Sequence, residues 1–591
     1  MGRGRPIVTP PLPDFQHKRN VDKRVRILRD QAQDLSAKQK HGHEVQRKVE
    51  DKKGPLLAIP RQGDKLVTAF LVQHDLASVA AFRDHKDRID VVFPDWYFLT
   101  SAKCEVSERI DEEVRRVLDE SDSAVIGRVT NGDHEKWHTA EMRRLLASPQ
   151  LRECIAGVLV QFAERDHLKG LNIDIETLGT AGRADYVKFL KELADRLHER
   201  DMILTVDITA HDPAYDVKAI AQVADGVVLM AYDEHYTSGP AGPIASQEWF
   251  EENVAFTLKD VPPEKLIVGI GTYAIDWSQN HSYSMKFSEV MALADDMGAL
   301  PGMDPESRNM HFSYSEDGNN HTVWFLNNVT AWNQKLAIDR LGVAGIGVWR
   351  LGAEDPSIWK ILPQQKPNIE AVVEPEALRS VLYLSFGEVF HLHTVPSRGK
   401  MSVEQDGEGF IDAAKYDSLP EGYLIERIGN SIPDKSLVLT FDDGPDPVWT
   451  PKVLDALKES KVHATFFVVG EQAERYPEIV QRILAEGHAI GNHTYFHPDL
   501  SKTSPERVRL ELNSTQRIIE RETGYKTMLF RAPYNTDSNP DEAPEIDPLR
   551  TAADMGYLII GANIDVADWQ LSRRITCNGA PIDPKRRVAT T

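Results

Sequence analysis

Three sets of residues in this chain have the types and spacing to do chemistry. The first is Asp442 and Asp443, where the apolar run beginning at Leu437 stops on two carboxylates followed by Gly444 and Pro445. A strand ending there lifts both acids to the rim of a sheet, where ligands bind in α/β folds. Successive residues diverge at a strand end, so one carboxylate can hold a cation while its neighbour handles a proton. The second set is His493 and His497, four apart in Gly487-His-Ala-Ile-Gly-Asn-His-Thr-Tyr-Phe-His497; a helical turn would put both imidazoles on one face. With a carboxylate they form a donor set suited to Zn²⁺ or a similar divalent ion. The third is Asn172-Ile-Asp-Ile-Glu176, in which the period of two aims Asn172, Asp174 and Glu176 the same way. A Glu with an Asp two residues before it is a good general acid, because the neighbouring charge raises its pKa. Each set also has a plainer reading: a turn, a polar helix face and a polar layer inside a barrel.

The order of the downstream motifs narrows the choice. Thr440-Phe-Asp-Asp-Gly444, Ala464-Thr-Phe-Phe-Val-Val-Gly470, His493-Thr-Tyr-Phe-His497, Arg531-Ala-Pro-Tyr534 and Asp565-Val-Ala-Asp-Trp569 follow one another over residues 437–569. Together they resemble the NodB-type polysaccharide deacetylases. The resemblance implies removal of acetyl groups from N-acetylated sugars in chitin oligomers or peptidoglycan. It implies Asp443, His493 and His497 as metal ligands and Asp442 as general base. It further implies Arg531 as the partner orienting Asp442, the Tyr534 amide as oxyanion donor, Asp568 as brace for a catalytic acid and Trp569 as wall of the acetyl pocket. The implied cofactor is a divalent ion, zinc first, with cobalt or manganese as alternatives; such an ion acidifies water and polarises a carbonyl. The family's last motif, Leu-x-His, is missing after Trp569, and Leu392-His393 lies upstream of every other motif. The expectation is a deacetylase barrel short of its last strands and of its acid histidine, with an unrelated tail over 572–591.

The third set needs a scaffold upstream. Strand-like apolar runs occur at Leu66–Val72, Asp90–Trp96, Ala124–Val129, Gly157–Gln161, Gly170–Ile175, Ile203–Ile208, Gly226–Met230, Leu266–Gly271 and Gly345–Trp349, with helical stretches such as Arg183–Arg200 between them. Near-continuous apolar strands alternating with helices imply a covered parallel sheet. About eight such units close best as a (β/α)₈ barrel with its chemistry at the strand C-termini. Asn172–Glu176, Met230-Ala-Tyr-Asp-Glu-His235 and Gly347-Val-Trp-Arg350 fall at such ends. These segments resemble the chitinase-like family-eighteen glycoside hydrolases. That implies Glu176 as acid, Asp174, Tyr232 and Asp233 as holders of the substrate acetamide, and Trp349 as the floor under the sugar. The family's longer Asp-x-x-Asp-x-Asp-x-Glu run is broken here by Lys169 and Asn172, which leaves cleavage and mere binding both open.

Length and composition bound the remainder. A chain of 591 residues exceeds a single core, and 41% hydrophobic with 27% charged residues is an ordinary globular balance. A net charge of −22 argues against nucleic acid as the main partner and fits a neutral sugar polymer equally well; the resemblances imply an N-acetylated polysaccharide, chitin-like or peptidoglycan. Cys104, Cys154 and Cys577 are too few and scattered for a disulfide framework or a Cys-based zinc site. No apolar run reaches the ~18 residues of a membrane span, and no signal-peptide core is evident, although the resemblance implies a cell-envelope or extracytoplasmic setting. The expected fold class is α/β: a basic arm, part of it (Val21 to Val49) a polar helix (1–60), a chitinase-like (β/α)₈ barrel (61–365), a linker and small β-rich bridge (366–432), a truncated NodB-type deacetylase barrel (433–571) and the tail. The expected function is metal-dependent deacetylation of N-acetylglucosamine polymers, with the first barrel binding or cleaving the same polymer. The alternatives are a glycosidase with a degenerate deacetylase region and an inactive carbohydrate-binding scaffold.

Overall fold

The computed structural model describes residues 59–564 apart from 62, 64, 134–135, 280, 317, 386, 430–435, 536–539, 541–542 and 563. The expected basic arm with its polar helix, the tail, Asp568, Trp569 and Cys577 lie outside the described residues. The chain divides into two compact units, one running to Leu378 and including Pro396–Glu421, the other comprising Arg379–Val395 and the residues from Gly422 onward.

The first unit is built on eight parallel strands: β1 (Leu66–Leu71), β2 (Val91–Pro94), β3 (Ala124–Thr130), β4 (Gly170–Asp174), β5 (Ile203–Ile208), β6 (Gly226–Met230), β7 (Leu266–Gly271) and β8 (Gly345–Trp349). Each pairs with the next, and β8 returns to β1, with Leu66 against Gly345, so the sheet closes into a barrel. Alternate residues fill its interior. Leu66, Phe70, Val91, Phe93, Ile126, Ile203, Val228 and Ile267 form one apolar cluster there, while the outward residues pack on the surrounding helices. The helix Arg183–His198 shows why: Tyr186, Phe189, Leu190, Leu193 and Leu197 make one buried stripe at helical spacing.

One expected strand is overturned. Gly157–Gln161 lies inside the helix Pro149–Arg165, which starts on a Ser148 cap with Pro149 in its first turn. A short apolar run is the buried face of a helix as readily as a strand, and here the flanking cap decides. Between β7 and β8 an antiparallel sheet is inserted, made of Ala274–Trp277, Ser282–Met285, Met310–Glu316 and Asn319–Phe325. The scattered cysteines also yield one bridge, since Cys104 and Cys154 are joined by a disulfide; spacing along the chain says nothing of two thiols brought together by a fold.

The second unit is an eight-stranded mixed sheet. Its strands are β9 (Val381–Leu384), β10 (Gly387–Thr394), β11 (Tyr423–Gly429), β12 (Thr440–Gly444), β13 (Thr465–Val468), β14 (Ala489–Asn492), β15 (Leu529–Phe530) and β16 (Leu558–Ile560), in the order β9-β11-β10-β16-β15-β14-β13-β12. Strands β12 to β16 are parallel neighbours, and β10 runs antiparallel to β16 with Val389 opposite Ile560. Residues 381–429 thus contribute strands to both units, because Lys400–Gln405 and Ile411–Ser418 pair with each other and join the first unit's inserted sheet through Gly302–Met303. No described helix is long and apolar enough to cross a membrane.

Candidate metal and carbohydrate sites

The parallel strands of the second unit end together. Asp442 and Asp443 sit on β12, His493 directly follows β14, and Arg531 directly follows β15. Asp443 takes φ = 66°, which turns its carboxylate back toward the histidines. Its Oδ1 lies 3.3 Å from Nε2 of His493 and 3.0 Å from Nε2 of His497. One ligand atom from each of the three residues falls within 4.8 Å of the others, and among the described residues this is the one such group. Hydrogen bonds from His493 and His497 hold the Asp443 carboxyl well below the usual carboxylate range. The donor set of one carboxylate oxygen and two imidazole nitrogens fits a divalent zinc-like ion. His493 Nδ1 donates to the Arg531 carbonyl at 2.8 Å, which leaves Nε2 as the atom that faces Asp443 and would serve as the ligand to a cation.

The two histidines do not share a helix face. Residues 493–499 form a non-helical loop, with Thr494 at φ = 66° and His497 at φ = 57°. The loop is tied down from inside: Asn492 Oδ1 accepts from Thr494 N, and Thr494 Oγ1 accepts from His497 N. Glu511 Oε2, buried on the helix Pro505–Thr523, accepts from both Tyr495 N and Phe496 N at 2.8 Å. Satisfying backbone donors with one buried carboxylate leaves no need for helix here. The spacing of four meant a loop closing on itself.

Arg531 is 3% exposed and donates from all three guanidinium nitrogens. Nη1 donates to Asp442 Oδ1 at 3.0 Å and Oδ2 at 3.2 Å and to Thr440 Oγ1 at 2.7 Å. Nε donates to the Ile560 carbonyl and Nη2 to the Gly561 carbonyl. Asp442 therefore has a fixed cation behind it and is free on its other side of any bond to His493 or His497. Tyr534 follows at φ = 63°, exposed, its ring 4.8 Å from that of His497. Left-handed backbone at Asp443, Thr494, His497 and Tyr534 is strain concentrated at one rim, which is where function collects it.

At the C-terminal face of the first unit's barrel, Asp174 ends β4 and Glu176 stands just beyond it. Burial first, and the charge of Asp174 next, push Glu176 up to about 8. The Glu176 backbone is pinned on both sides by Asn131, whose Oδ1 accepts from its N–H and whose Nδ2 donates to its carbonyl. Tyr232 stacks on Trp349 with 6.4 Å between centroids and 12° between planes. Asp233, at φ = 66°, accepts a hydrogen bond from Tyr273 and is pushed up by burial. The expected set is brought together here. Sequence reading missed Arg128, which pairs with Asp174, and Asp207, which accepts from Asn172 Nδ2 at 2.9 Å. Charged residues at inward positions of otherwise apolar strands were the available signal; Glu511 left a similar trace as an acid on an apolar helix stripe.

The raised Glu176 carries a pH consequence. The folded chain binds that proton more tightly than the unfolded one, whose carboxyl titrates near 4.5. Stability is therefore unaffected by this group below the unfolded value and declines as pH climbs toward 8, by at most ~1.4 kcal/mol per pH unit. Denaturant unfolding of Glu176→Gln between pH 5 and 9 should show a flatter decline than the parent chain.

Comparison with known proteins identifies both regions. Residues 429–547 match the polysaccharide deacetylase family and residues 129–354 match glycosyl hydrolases family 18. A peptidoglycan-N-acetylglucosamine deacetylase of Bacillus cereus is 44% identical over 134 residues, 23% of this chain and 46% of that protein. A chitooligosaccharide deacetylase of Sinorhizobium fredii is 41% identical over 148 residues, 24% of this chain and 64% of that protein. The chain thus spans about half to two thirds of the length of these curated relatives. A chitinase of Chromobacterium violaceum superposes with a TM-score of 0.47 at 25% identity, covering 50% of this chain and 96% of that one.

Proposed function

From a chain that carries a family 18 glycosyl hydrolase domain followed by a polysaccharide deacetylase domain, we propose a metal-dependent deacetylase of N-acetylglucosamine polymers whose barrel binds and cleaves the same polymer. The observation that carries the first half is the convergence of Asp443, His493 and His497 beside an Asp442 backed by Arg531. Asp443, His493 and His497 would hold the ion, which when bound supplies Lewis acidity to the acetamide carbonyl and to water. Asp442 takes the proton of the attacking water, and Arg531 keeps that carboxylate oriented by a charge-assisted pair. The backbone N–H of Tyr534 donates to the oxygen that gains charge as the carbonyl becomes tetrahedral. The C–N bond then breaks to acetate and a free amine, and the proton held by Asp442 is available to the amine.

In the barrel, Glu176, pushed up to about 8 by burial and the charge of Asp174, would hold its proton near neutral pH, as a general acid must. Asp174, Tyr232 and Asp233 would hold the acetamide and Trp349 would carry the sugar ring. The names of the deacetylase relatives support peptidoglycan or chitooligosaccharide as the substrate class. The test is to incubate the chain, with and without a chelator, with N-acetylglucosamine oligomers and to assay acetate, new reducing ends and bound metal together. Acetate release that stops on chelation and returns with Zn²⁺ is expected. Reducing ends without acetate would leave only the glycosidase, and binding without either product would leave a carbohydrate-binding protein.

A further inference from the structure

At the barrel mouth the guanidinium of Arg128 is set among carboxylates. Arg128, on β3, donates from both Nε, at 2.9 Å, and Nη2 to the same oxygen of Asp174, Oδ2. Among the described residues the other oxygen, Oδ1, is buried and has no hydrogen-bond partner. The guanidinium carbon lies 5.2 Å from the centroid of the Trp349 ring, the ring expected under the sugar. Three other carboxyls face this cation or its partner: Asp95 and Asp207, both pushed up chiefly by burial, and Glu176. Asn172 plays no part in the pair. Its Nδ2 donates to Asp207 and its Oδ1 accepts from Thr205 Oγ1 at 2.7 Å, so its amide is committed to β5.

We propose that Arg128 is the positioning residue of the carbohydrate site, clamping one oxygen of Asp174 so that the other is left as a single fixed acceptor for the amide N–H of an N-acetylated sugar. This rests on the reading of the barrel as a site for acetamido sugars. Two donors on one oxygen remove the carboxylate's freedom to turn, and a buried acceptor without a partner favours any ligand that supplies the donor. The same guanidinium sets a sign. Its charge offsets that of Asp174, and burial pushes Asp95, Asp207 and Glu176 toward their neutral forms, so the ammonium of a sugar already deacetylated meets no net negative charge there to offset its loss of water, whereas a neutral amide N–H needs none. The barrel therefore selects polymer that has not yet lost its acetyl groups, so its action precedes that of the second unit on any given sugar.

Calorimetric titration of the full chain, carrying Asp442→Asn and Glu176→Gln so that neither acetyl groups nor glycosidic bonds are lost, tests this with N-acetylglucosamine tetramer and glucosamine tetramer at pH 6 and low salt. With Arg128 in place the acetylated tetramer should bind about tenfold tighter or more, a difference of ~1.4 kcal/mol. Arg128→Met and Arg128→Gln should each bring the ratio to about one or invert it, while Arg128→Lys, which keeps the charge, should retain most of the preference. A purely structural role would weaken both ligands alike and leave the ratio unmoved. An undiminished ratio in the Met and Gln variants overturns the role of Arg128 alone. A chain with Arg128 intact that binds neither tetramer overturns the reading of the barrel, and this inference with it.

Discussion

Asp442→Asn should keep the metal and lose turnover by about 10²–10⁴-fold, the range over which general-base catalysis contributes. The substitution preserves shape, and Arg531 Nη1, now 3.0 and 3.2 Å from the two carboxylate oxygens, still finds an oxygen to bond. An amide has no affinity for the proton that the attacking water must shed. The ligand atoms of Asp443, His493 and His497 owe nothing to Asp442, since each is placed by its own strand end or loop. Metal content by elemental analysis and acetate release on the same preparation check both halves. Equal loss of metal in this variant and in Asp443→Ala would show that the roles of the two neighbours are misassigned.

Asp443→Ala should abolish both metal and turnover. The two imidazoles left behind are neutral donors without the anionic oxygen that balances a divalent charge, and affinity for zinc falls steeply when a three-residue set becomes two. The fold should survive, because the Asp443 side chain is 69% exposed and, among the described residues, accepts hydrogen bonds from the two histidines alone. Dialysis against a weak chelator followed by metal analysis gives the readout, with thermal unfolding of the metal-free chains as the check on folding. Retained stoichiometric metal in this variant would remove the proposed centre. Taken together, the two neighbouring acids should give opposite metal results with the same absence of acetate, a pattern no general loss of structure produces.

Much of the site was legible in the chain itself. Asp442 and Asp443 end an apolar run before a Gly-Pro turn, and the sequence marks that strand end directly. Eight of nine expected barrel strands exist, since long apolar runs punctuated by helices admit few other arrangements. Glu176 stood out as a candidate acid because Asp174 lies two residues before it, although the burial that raises it most comes from the fold.

What needed the tertiary structure is whatever depends on residues remote in the chain. The spacing of His493 and His497 fits a helix and a closed loop equally; the buried Glu511 carboxylate that selects the loop lies beyond any local pattern. Arg128 and Asp174 stand 46 residues apart, and only closure of the barrel puts one cation beside that acid. The strands of 381–429 carry the same alternation wherever they pair, so their division between two sheets follows from which edges lie open to them, not from their composition. Sequence alone determined the candidate groups and most of the strand ends that present them. Folding decided which charges face each other, because electrostatic coupling is set by distance through space and the dielectric between the groups, and neither is written in chain order.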